Sequence, residues 1–256
     1  CKMTKPRILI TNDDGIHAPG IFALWEAMSE IGDVTVVAPN TEKSAVGHAI
    51  TISDPIRIQE ITRHGGFTGY SVDGTPGDCV KVAIHSILDQ PPDLVVSGIN
   101  MGANVGTNIL YSGTVSAANL GTMLGFNSIA FSLDAIKDGD FSASKPIAQK
   151  VAKLVLKNSL PNGTLLNVNI PNCEASDIQG FQVTKQGSEF FQDWLESRED
   201  PRGRTYFWMT GKIINTDDQM DLDGFALGKN YVSLTPIHYQ LTNESFLDEL
   251  NTWNVK

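Results

Sequence analysis

The chain has 256 residues, 41% of them hydrophobic and 19% charged, which is the composition of an ordinary globular protein with one domain or at most two small ones. Its formal net charge of −10 argues against long polyanions and anionic membrane surfaces as partners. No apolar run approaches the roughly 20 residues of a membrane-spanning helix. From the charge and from this absence, we expect no nucleic-acid polymer and no membrane among its partners.

The first residues, CKMTKPR, carry no basic segment followed by an apolar one, so we expect a cytoplasmic protein. The three cysteines, Cys1, Cys79 and Cys173, are isolated and odd in number. They predict neither a disulfide framework nor a CxxC metal pair, and a reducing compartment fits them best. Cys79 lies in a helical pattern and is predicted to be a small buried residue, whereas the origin of Cys1 stays open.

The first half of the chain alternates predicted strands with predicted helices. Apolar segments predict buried strands at 6–11, 33–39, 93–98 and 128–133. Helical patterns separate these strands, at 20–32, 79–90 and 114–125, and a turn region precedes the second helix at 69–78. This alternation predicts an α/β fold, with a Rossmann-like, mostly parallel sheet and helices on both faces.

The second half begins with a polar linker at 134–146, a predicted helix at 147–160 and a predicted strand at 164–171. Three further segments have strand patterns with no helix between them, at 181–187, 204–213 and 231–241, and predict antiparallel hairpins. A helix is predicted at 244–254. We expect one domain over residues 1–256, consisting of a core (1–134), its completion (135–183) and a hairpin extension with the final strand and helix (184–256).

Polar residues follow the first three predicted strands, and ligands bind beyond the carboxyl ends of strands in open α/β sheets. The segment after the first strand reads NDDG, with Asp13 beside Asp14. Adjacent carboxylates repel each other when they are desolvated, and a hard divalent cation with oxygen ligands would remove that repulsion. By itself, however, NDDG is explained at least as well by a plain turn.

The segments after the second and third strands offer neutral oxygens, from Ser44 and Asn100. Either side chain alone is more simply interpreted as a loop residue that makes hydrogen bonds. Ser112, Gly113 and Thr114 stand at the start of a predicted helix, where free N–H groups and the helix dipole favour an anion. Ordinary N-capping explains these three residues equally well. A cation site beside an anion site is the combination that phosphoryl hydrolysis requires.

An ordered set of motifs resembles a known family. The segments are NDDGIHAPGI, VDGTPGDCV, DLVVSGINMGAN, YSGTVSAA, LLNVNIP, DPRGR, YFW and YVSLTPI, in this order from residue 12 to residue 237. The set resembles the SurE (survival protein E) family of metal-dependent 5′/3′-nucleotidases, which are acid-phosphatase-like enzymes, and covers nearly the whole chain. NDDG alone is weak, but the ordered set is highly specific.

The resemblance implies a role for each matching residue. Asp13, Asp14, Ser44 and Asn100 correspond to the ligands of one divalent metal ion per subunit, Mg²⁺ or Mn²⁺, and the two aspartates are the candidate catalytic residues. The residues implied to bind substrate and phosphate are Asn100, Asn104, Ser112, Gly113 and Thr114. The resemblance implies for Asn104 only that it lies near the site. The implied substrates are nucleoside 5′- and 3′-monophosphates, with short polyphosphate for some members. The implied assembly is a homodimer or homotetramer that exchanges its C-terminal segment or hairpin.

The mechanism stays open at the sequence level. The favoured hypothesis is that a water on the metal attacks the phosphorus, with a side-chain carboxylate as the rival nucleophile. His17 and His48 are candidate acids for the leaving alcohol, and either is equally well a structural or loop residue. Arg198, Arg202 and Arg204 could contact the base or phosphate, although a solvated surface loop explains them better. The segment KSAVGHAIT departs from the RSGASNSLT of many members, with His48 in place of a small polar residue, which concerns base preference and not metal binding.

The alternative is a nucleotide-binding or nucleotide-sensing module without hydrolysis. That class requires GxGxxG after the first strand and an acidic residue after the second, and the chain has NDDGIHAPG and VAPN there. Motifs of P-loop proteins, serine hydrolases and zincins are also missing from the sequence. The enzyme is therefore the favoured hypothesis, while base preference, 5′ over 3′ preference, the physiological metal and the oligomer size are not predicted.

Overall fold

A nine-stranded sheet and a separate two-stranded hairpin make up the computed structural model, which describes residues 5–253. The strands are β1 (Arg7–Thr11), β2 (Asp33–Pro39), β3 (Ile58–Thr62), β4 (Thr68–Val72), β5 (Leu94–Met101), β6 (Ser128–Asp134), β7 (Thr164–Pro171), β8 (Gly180–Val183), β9 (Phe190–Glu199), β10 (Thr205–Ile214) and β11 (Tyr231–His238). The α-helices are α1 (Pro19–Ser29), α2 (Pro76–Val82), α3 (Gly113–Met123), α4 (Ser144–Asn158), α5 (Asp223–Leu227) and α6 (Glu244–Thr252).

The strand order in the large sheet is β3-β4-β2-β1-β5-β6-β7-β11-β8. The central strands run parallel, with β1 hydrogen-bonded to β2 on one side and to β5 on the other. Antiparallel pairs join β3 to β4 and β7 to β11, while β9 and β10 form the antiparallel hairpin. The predicted α/β class, with a mostly parallel sheet and a C-terminal hairpin, is confirmed.

Apolar side chains on both faces of the sheet explain why helices cover both. Along β1, Ile10 and Leu9 point to opposite faces because strand side chains alternate. Ile10 belongs to the larger core cluster, to which α1 and α4 contribute, and Leu9 belongs to a second cluster with residues of α2 and α3. The central strands are therefore continuous apolar runs and not alternating ones.

Two strands at one edge of the sheet were missed by the sequence patterns. β3 is almost wholly exposed and has no apolar face to reveal it, and β4 overlaps the segment that predicted a turn region. The helix predicted from residue 79 begins at Pro76, since the Thr75 side chain caps it and Asp78 completes a capping box. Cys79 is buried in that helix, as predicted, and Cys1 lies outside the described residues.

The expectation of strands without an intervening helix was wrong for the second half. The short helix α5 lies between β10 and β11, and β8 pairs with β11 in parallel and not in a hairpin. Five residues are too few to show helical periodicity. The helix predicted at 244–254 is observed as α6, and residue 254 lies outside the described part of the chain.

Of the helices formed by residues 5–253, none combines the length and the apolar character needed to cross a membrane.

Candidate active site

Asp13 and Asp14 lie in a turn directly after β1, at the carboxyl edge of the sheet. The Asn12 side chain closes this turn by donating its Nδ2–H to the Gly15 carbonyl oxygen at 2.9 Å. Gly15 has a φ of +93°, a backbone conformation that favours glycine. The turn therefore places two neighbouring carboxylates directly beyond the end of β1.

Asp13 is buried against the start of α3. The Thr114 hydroxyl donates to Asp13 Oδ1, and a Cβ on Gly113 would lie only 2.7 Å from the Asp13 Cβ. Burial raises the pKa of Asp13, and hydrogen bonds from the Thr114 side chain and from the backbone around Gly113 and Thr114 oppose that rise. The N-terminus of α3 thus faces a carboxylate of the candidate site.

Asp14 is half-buried beside Asp13, and its Oδ2 accepts a hydrogen bond from the Met101 N–H at 3.2 Å. Burial raises the pKa of Asp14 to about 7, and the charges of Asp13 and Glu42 add to the rise. A second carboxylate that resists ionisation next to a buried one fits a site built to receive a cation. Glu42 was not among the predicted site residues, and its place in an exposed loop gave no signal.

Neutral oxygens complete the candidate donor set. Among residues 5–253, no three His, Cys, Asp or Glu side chains converge as a metal site, so a cation here would need neutral ligands beside the two aspartates. Asn100 donates its Nδ2–H to the Gly102 carbonyl oxygen at 2.8 Å, which leaves Oδ1 as the oxygen for a ligand bond. The buried Oδ1 of Asn12 has no hydrogen-bond partner, which also fits a missing positive or donor group nearby.

Ser44 is the least tightly placed of the predicted ligands. It is exposed, and its hydroxyl donates to Glu42 Oε1 at 2.5 Å. The loop that carries it is held beside the site, because the Lys43 N–H donates to the backbone carbonyl oxygen of Asp13 at 2.7 Å. The structure therefore brings the loop of Ser44 to the aspartates without directing its hydroxyl at them.

Ser112 caps α3, with its Oγ accepting a hydrogen bond from the Val115 N–H at 3.1 Å. Gly113 and Thr114 form the first helical turn, as predicted. α3 has eleven residues, so its N-terminus carries the partial positive charge of a full helix dipole. Because the Thr114 hydroxyl and the backbone around Gly113 and Thr114 already bond to Asp13, and the Val115 N–H bonds to Ser112 Oγ, the Ser112 hydroxyl hydrogen and the helix dipole are what remain to hold an anion at this end.

Asn104 is buried and belongs to the scaffold of the site. Its N–H donates to Asn169 Oδ1 at 2.7 Å and its Nδ2–H to Ser132 Oγ at 2.8 Å, while its carbonyl oxygen accepts from Asn167 and Asn169. These bonds fix the loop after β5 against β6 and β7. The sequence reasoning missed the two β7 asparagines, although the NVN spacing places both on one face of a strand.

The predicted arginine candidates lie on the β9–β10 hairpin, whereas the histidine candidates lie in the loops that follow β1 and β2. His17 is exposed, and His48 Nε2 lies 2.7 Å from Asn119 Nδ2. Arg198 and Arg204 form ion pairs with Glu196 and Asp200 on the β9–β10 hairpin. For these arginines the structure supports the interpretation as solvated surface residues.

Residues next to the start of the β9–β10 hairpin form hydrogen bonds with the loop that precedes α3. The Glu189 carbonyl oxygen accepts a hydrogen bond from the Thr107 N–H at 2.8 Å, and the buried Asp223 carboxylate accepts from the Gly106 N–H at 3.1 Å and the Gly187 N–H at 2.8 Å. No short motif signals these contacts, since they join segments between 36 and 117 residues apart. Burial raises the pKa of Glu189 to about 7, and the charge of Asp134, then that of Asp223, adds to the rise.

We expect Glu189→Gln to remove part of the pH dependence of folding stability. Because the folded state raises the pKa of Glu189 from 4.5 to about 7, the contribution of this group is complete below pH 4.5 and is lost as the pH rises to about 7. Between pH 5 and pH 8, the free energy of unfolding should therefore fall by about 1–2 kcal/mol more in the wild type than in the variant. Urea unfolding in EDTA measures this, with Glu60→Gln on the exposed β3 as the control, and equal pH slopes for Glu189→Gln and wild type would contradict it.

Both the sequence and the fold have relatives among known proteins. A family model described as survival protein SurE matches residues 8–193. A protein named 5′-nucleotidase SurE from Syntrophobacter fumaroxidans is 49% identical over 249 residues, which cover 97% of this chain and 100% of the relative. A protein of the same name from Chlorobium limicola is 46% identical over 255 residues, which cover 100% of this chain and 99% of the relative. The crystal structure of the SurE protein from Aquifex aeolicus superposes with a TM-score of 0.84 at 39% identity, covering 96% of this chain and 98% of that one.

Proposed function

Because the chain belongs to the SurE family, we propose that it is a metal-dependent phosphomonoesterase that hydrolyses nucleoside 5′- and 3′-monophosphates to nucleoside and phosphate. Short polyphosphate is a second substrate class in this proposal. The relatives named 5′-nucleotidase SurE support the nucleotidase activity, and the resemblance of the motifs extends it to 3′-esters and polyphosphate. The two described cysteines are free thiols, which agrees with the cytoplasmic location that we propose.

The observation that carries the proposal is the packing of Asp13, the neighbour of Asp14, against the N-terminus of α3. One end of the sheet thus combines two carboxylates with raised pKa values and a helix terminus that favours an anion. Asp13, Asp14, Ser44 and Asn100 would hold one divalent cation, Mg²⁺ or Mn²⁺. When bound, the cation would neutralise the carboxylates and supply Lewis acidity for phosphoryl transfer.

The chain's own residues orient the substrate and the carboxylates. The Ser112 hydroxyl and the positive end of the α3 dipole would hold phosphate oxygens and stabilise the charge that develops on them. Thr114 fixes the orientation of Asp13, and the Met101 N–H fixes that of Asp14. Asn104 keeps the intervening loop in register through its bonds to β6 and β7.

Phosphate release from AMP, GMP, 3′-AMP and short polyphosphate tests the proposal, each with Mn²⁺, with Mg²⁺ and with EDTA. Release from the nucleotides that depends on the metal is the expected result, and the relative rates rank the substrates. If no metal supports release although AMP binds, the catalytic proposal fails and the chain is a nucleotide-binding or sensing module.

The assembly that we propose is a homodimer or homotetramer in which the β9–β10 hairpin contacts another copy of the chain. Every residue of β9 is exposed, and large apolar side chains of the hairpin, such as Trp194 and Phe207, have about half or more of their surface in solvent. Apolar patches of this kind mark interaction surfaces.

We expect Trp208→Glu to lower the mass of the particle in analytical ultracentrifugation, because it places a charge in a side-chain position that is 58% exposed on the hairpin. Leu154→Glu is the matched control, since Leu154 is a 48% exposed apolar residue on α4. A sedimentation profile of Trp208→Glu identical to that of the control would contradict the role of the hairpin.

A further inference from the structure

An apolar cavity of about 540 Å³ lies between α2 and α3, and its lining includes Val115, the residue that follows Thr114. Its lining includes residues 48–50, the 3-10 turn that precedes α3 and the segment that follows β11. Ile109, Leu120 and Met123 are among its apolar walls. This volume lies within the range of roughly 300–1,000 Å³ that is typical of small-molecule sites.

One polar group in this lining lacks a partner. Asn119 on α3 is only 8% exposed; its Nδ2 lies 2.7 Å from His48 Nε2, and its Oδ1 makes no hydrogen bond. Rotating the amide by 180° would exchange the two atoms and still leave one of them unpartnered. Buried polar groups are nearly always hydrogen-bonded, so this amide indicates a group that is still missing from the cavity.

The unpartnered amide is aligned with the anion-binding end of α3. Ser112, the cap of the helix, and Asn119 are seven residues apart, which is two helical turns and about 10 Å along the axis. Residues at this spacing lie on the same face of a helix. His48 follows the candidate ligand Ser44 by four residues, so the same loop borders the aspartates at one end and the cavity at the other.

We propose that this cavity binds the nucleobase of the substrate, and that Asn119 is a specificity-determining residue that accepts an N–H from the edge of the base. The inference rests on the proposed function, because it places the phosphate at the N-terminus of α3. A heterocyclic base has apolar faces and polar edges, which match walls that are mostly apolar and carry a few polar side chains, among them this amide. An apolar segment from a second copy would cover the walls but would leave the amide unpartnered.

Two measurements test the cavity. Calorimetry records the binding of adenosine, which has no phosphate, and steady-state kinetics with Mn²⁺ give kcat/KM for AMP and for ribose 5-phosphate, which has no base. For Asn119→Ala we expect adenosine to bind about tenfold more weakly, and the AMP to ribose 5-phosphate ratio of kcat/KM to fall about tenfold. Asn158→Ala, on the exposed surface of α4, is the matched control and should keep the wild-type ratio.

A second variant keeps the proposal testable if Asn119→Ala does not fold. Leu120→Trp fills the cavity without removing a polar group and should lower the same ratio and adenosine binding. Failure of adenosine to bind the wild type, or an equal loss of both ester activities in both variants, would overturn the proposal. If neither ester is hydrolysed by the wild type, the proposed function fails, and adenosine calorimetry still decides whether the cavity binds a base.

Discussion

Asp14→Asn should reduce metal-dependent phosphate release from AMP by about 10³-fold or more, because it removes one of the two carboxylate charges that would hold the cation. The fold should persist, since the substitution replaces a carboxylate whose ionisation is already opposed by burial and by the charge of Asp13. Without metal, the melting temperature should not fall. The increase in melting temperature that Mn²⁺ produces in the wild type should be lost, because a ligand stabilises only the state that binds it.

Asp54→Asn is the control for this experiment, since Asp54 is an exposed aspartate outside the site. Phosphate assays and thermal melts in EDTA and in Mn²⁺ would be run on both variants. If Asp14→Asn keeps activity within tenfold of the wild type, Asp14 is not a ligand that the reaction requires. If it melts at a lower temperature than the wild type in EDTA, Asp14 serves the fold and not a cation.

Thr114→Val should lower kcat/KM for AMP by about 10²-fold, because Asp13 loses the hydroxyl that orients its carboxylate. The two side chains have nearly the same shape, so packing at the start of α3 is kept. The free energy of unfolding should fall by about 1–3 kcal/mol, since a buried carboxylate loses a hydrogen bond. Steady-state kinetics with Mn²⁺ and urea unfolding measure the two effects.

Thr114→Ser separates the hydroxyl from the methyl group. The serine variant keeps the donor to Asp13 Oδ1, so its kcat/KM should lie within a few-fold of the wild type and well above that of Thr114→Val. Equal losses in the two variants would show that the methyl group matters at this position and that the bond to Asp13 does not.

The alternation of the central strands with helices, and the end of the sheet at which a site would lie, could be predicted from the sequence. The β1, β2, β5 and β6 segments are short apolar runs, and such runs separated by helices pack as a parallel sheet whose carboxyl ends share one edge. For the same reason the NDDG turn and the polar segments that contain Ser44 and Asn100 could be assigned to the same edge of the sheet. Elements without an apolar pattern, such as the exposed strands β3 and β9 and the five-residue α5, could not be predicted in this way.

The sequence by itself thus determined the α/β class and the carboxylate pair, because strand periodicity and turn chemistry act over a few neighbouring residues, and its ordered motifs indicated the family by resemblance. The contacts that orient the site were decided only by the tertiary structure. Thr114 reaches Asp13 across 101 residues, Asn104 bonds to Asn169 across 65, and Asp223 holds Gly106 across 117. Hydrogen bonds between such distant groups depend on how loops cross the end of the sheet, and no local pattern in either partner records which group it will meet.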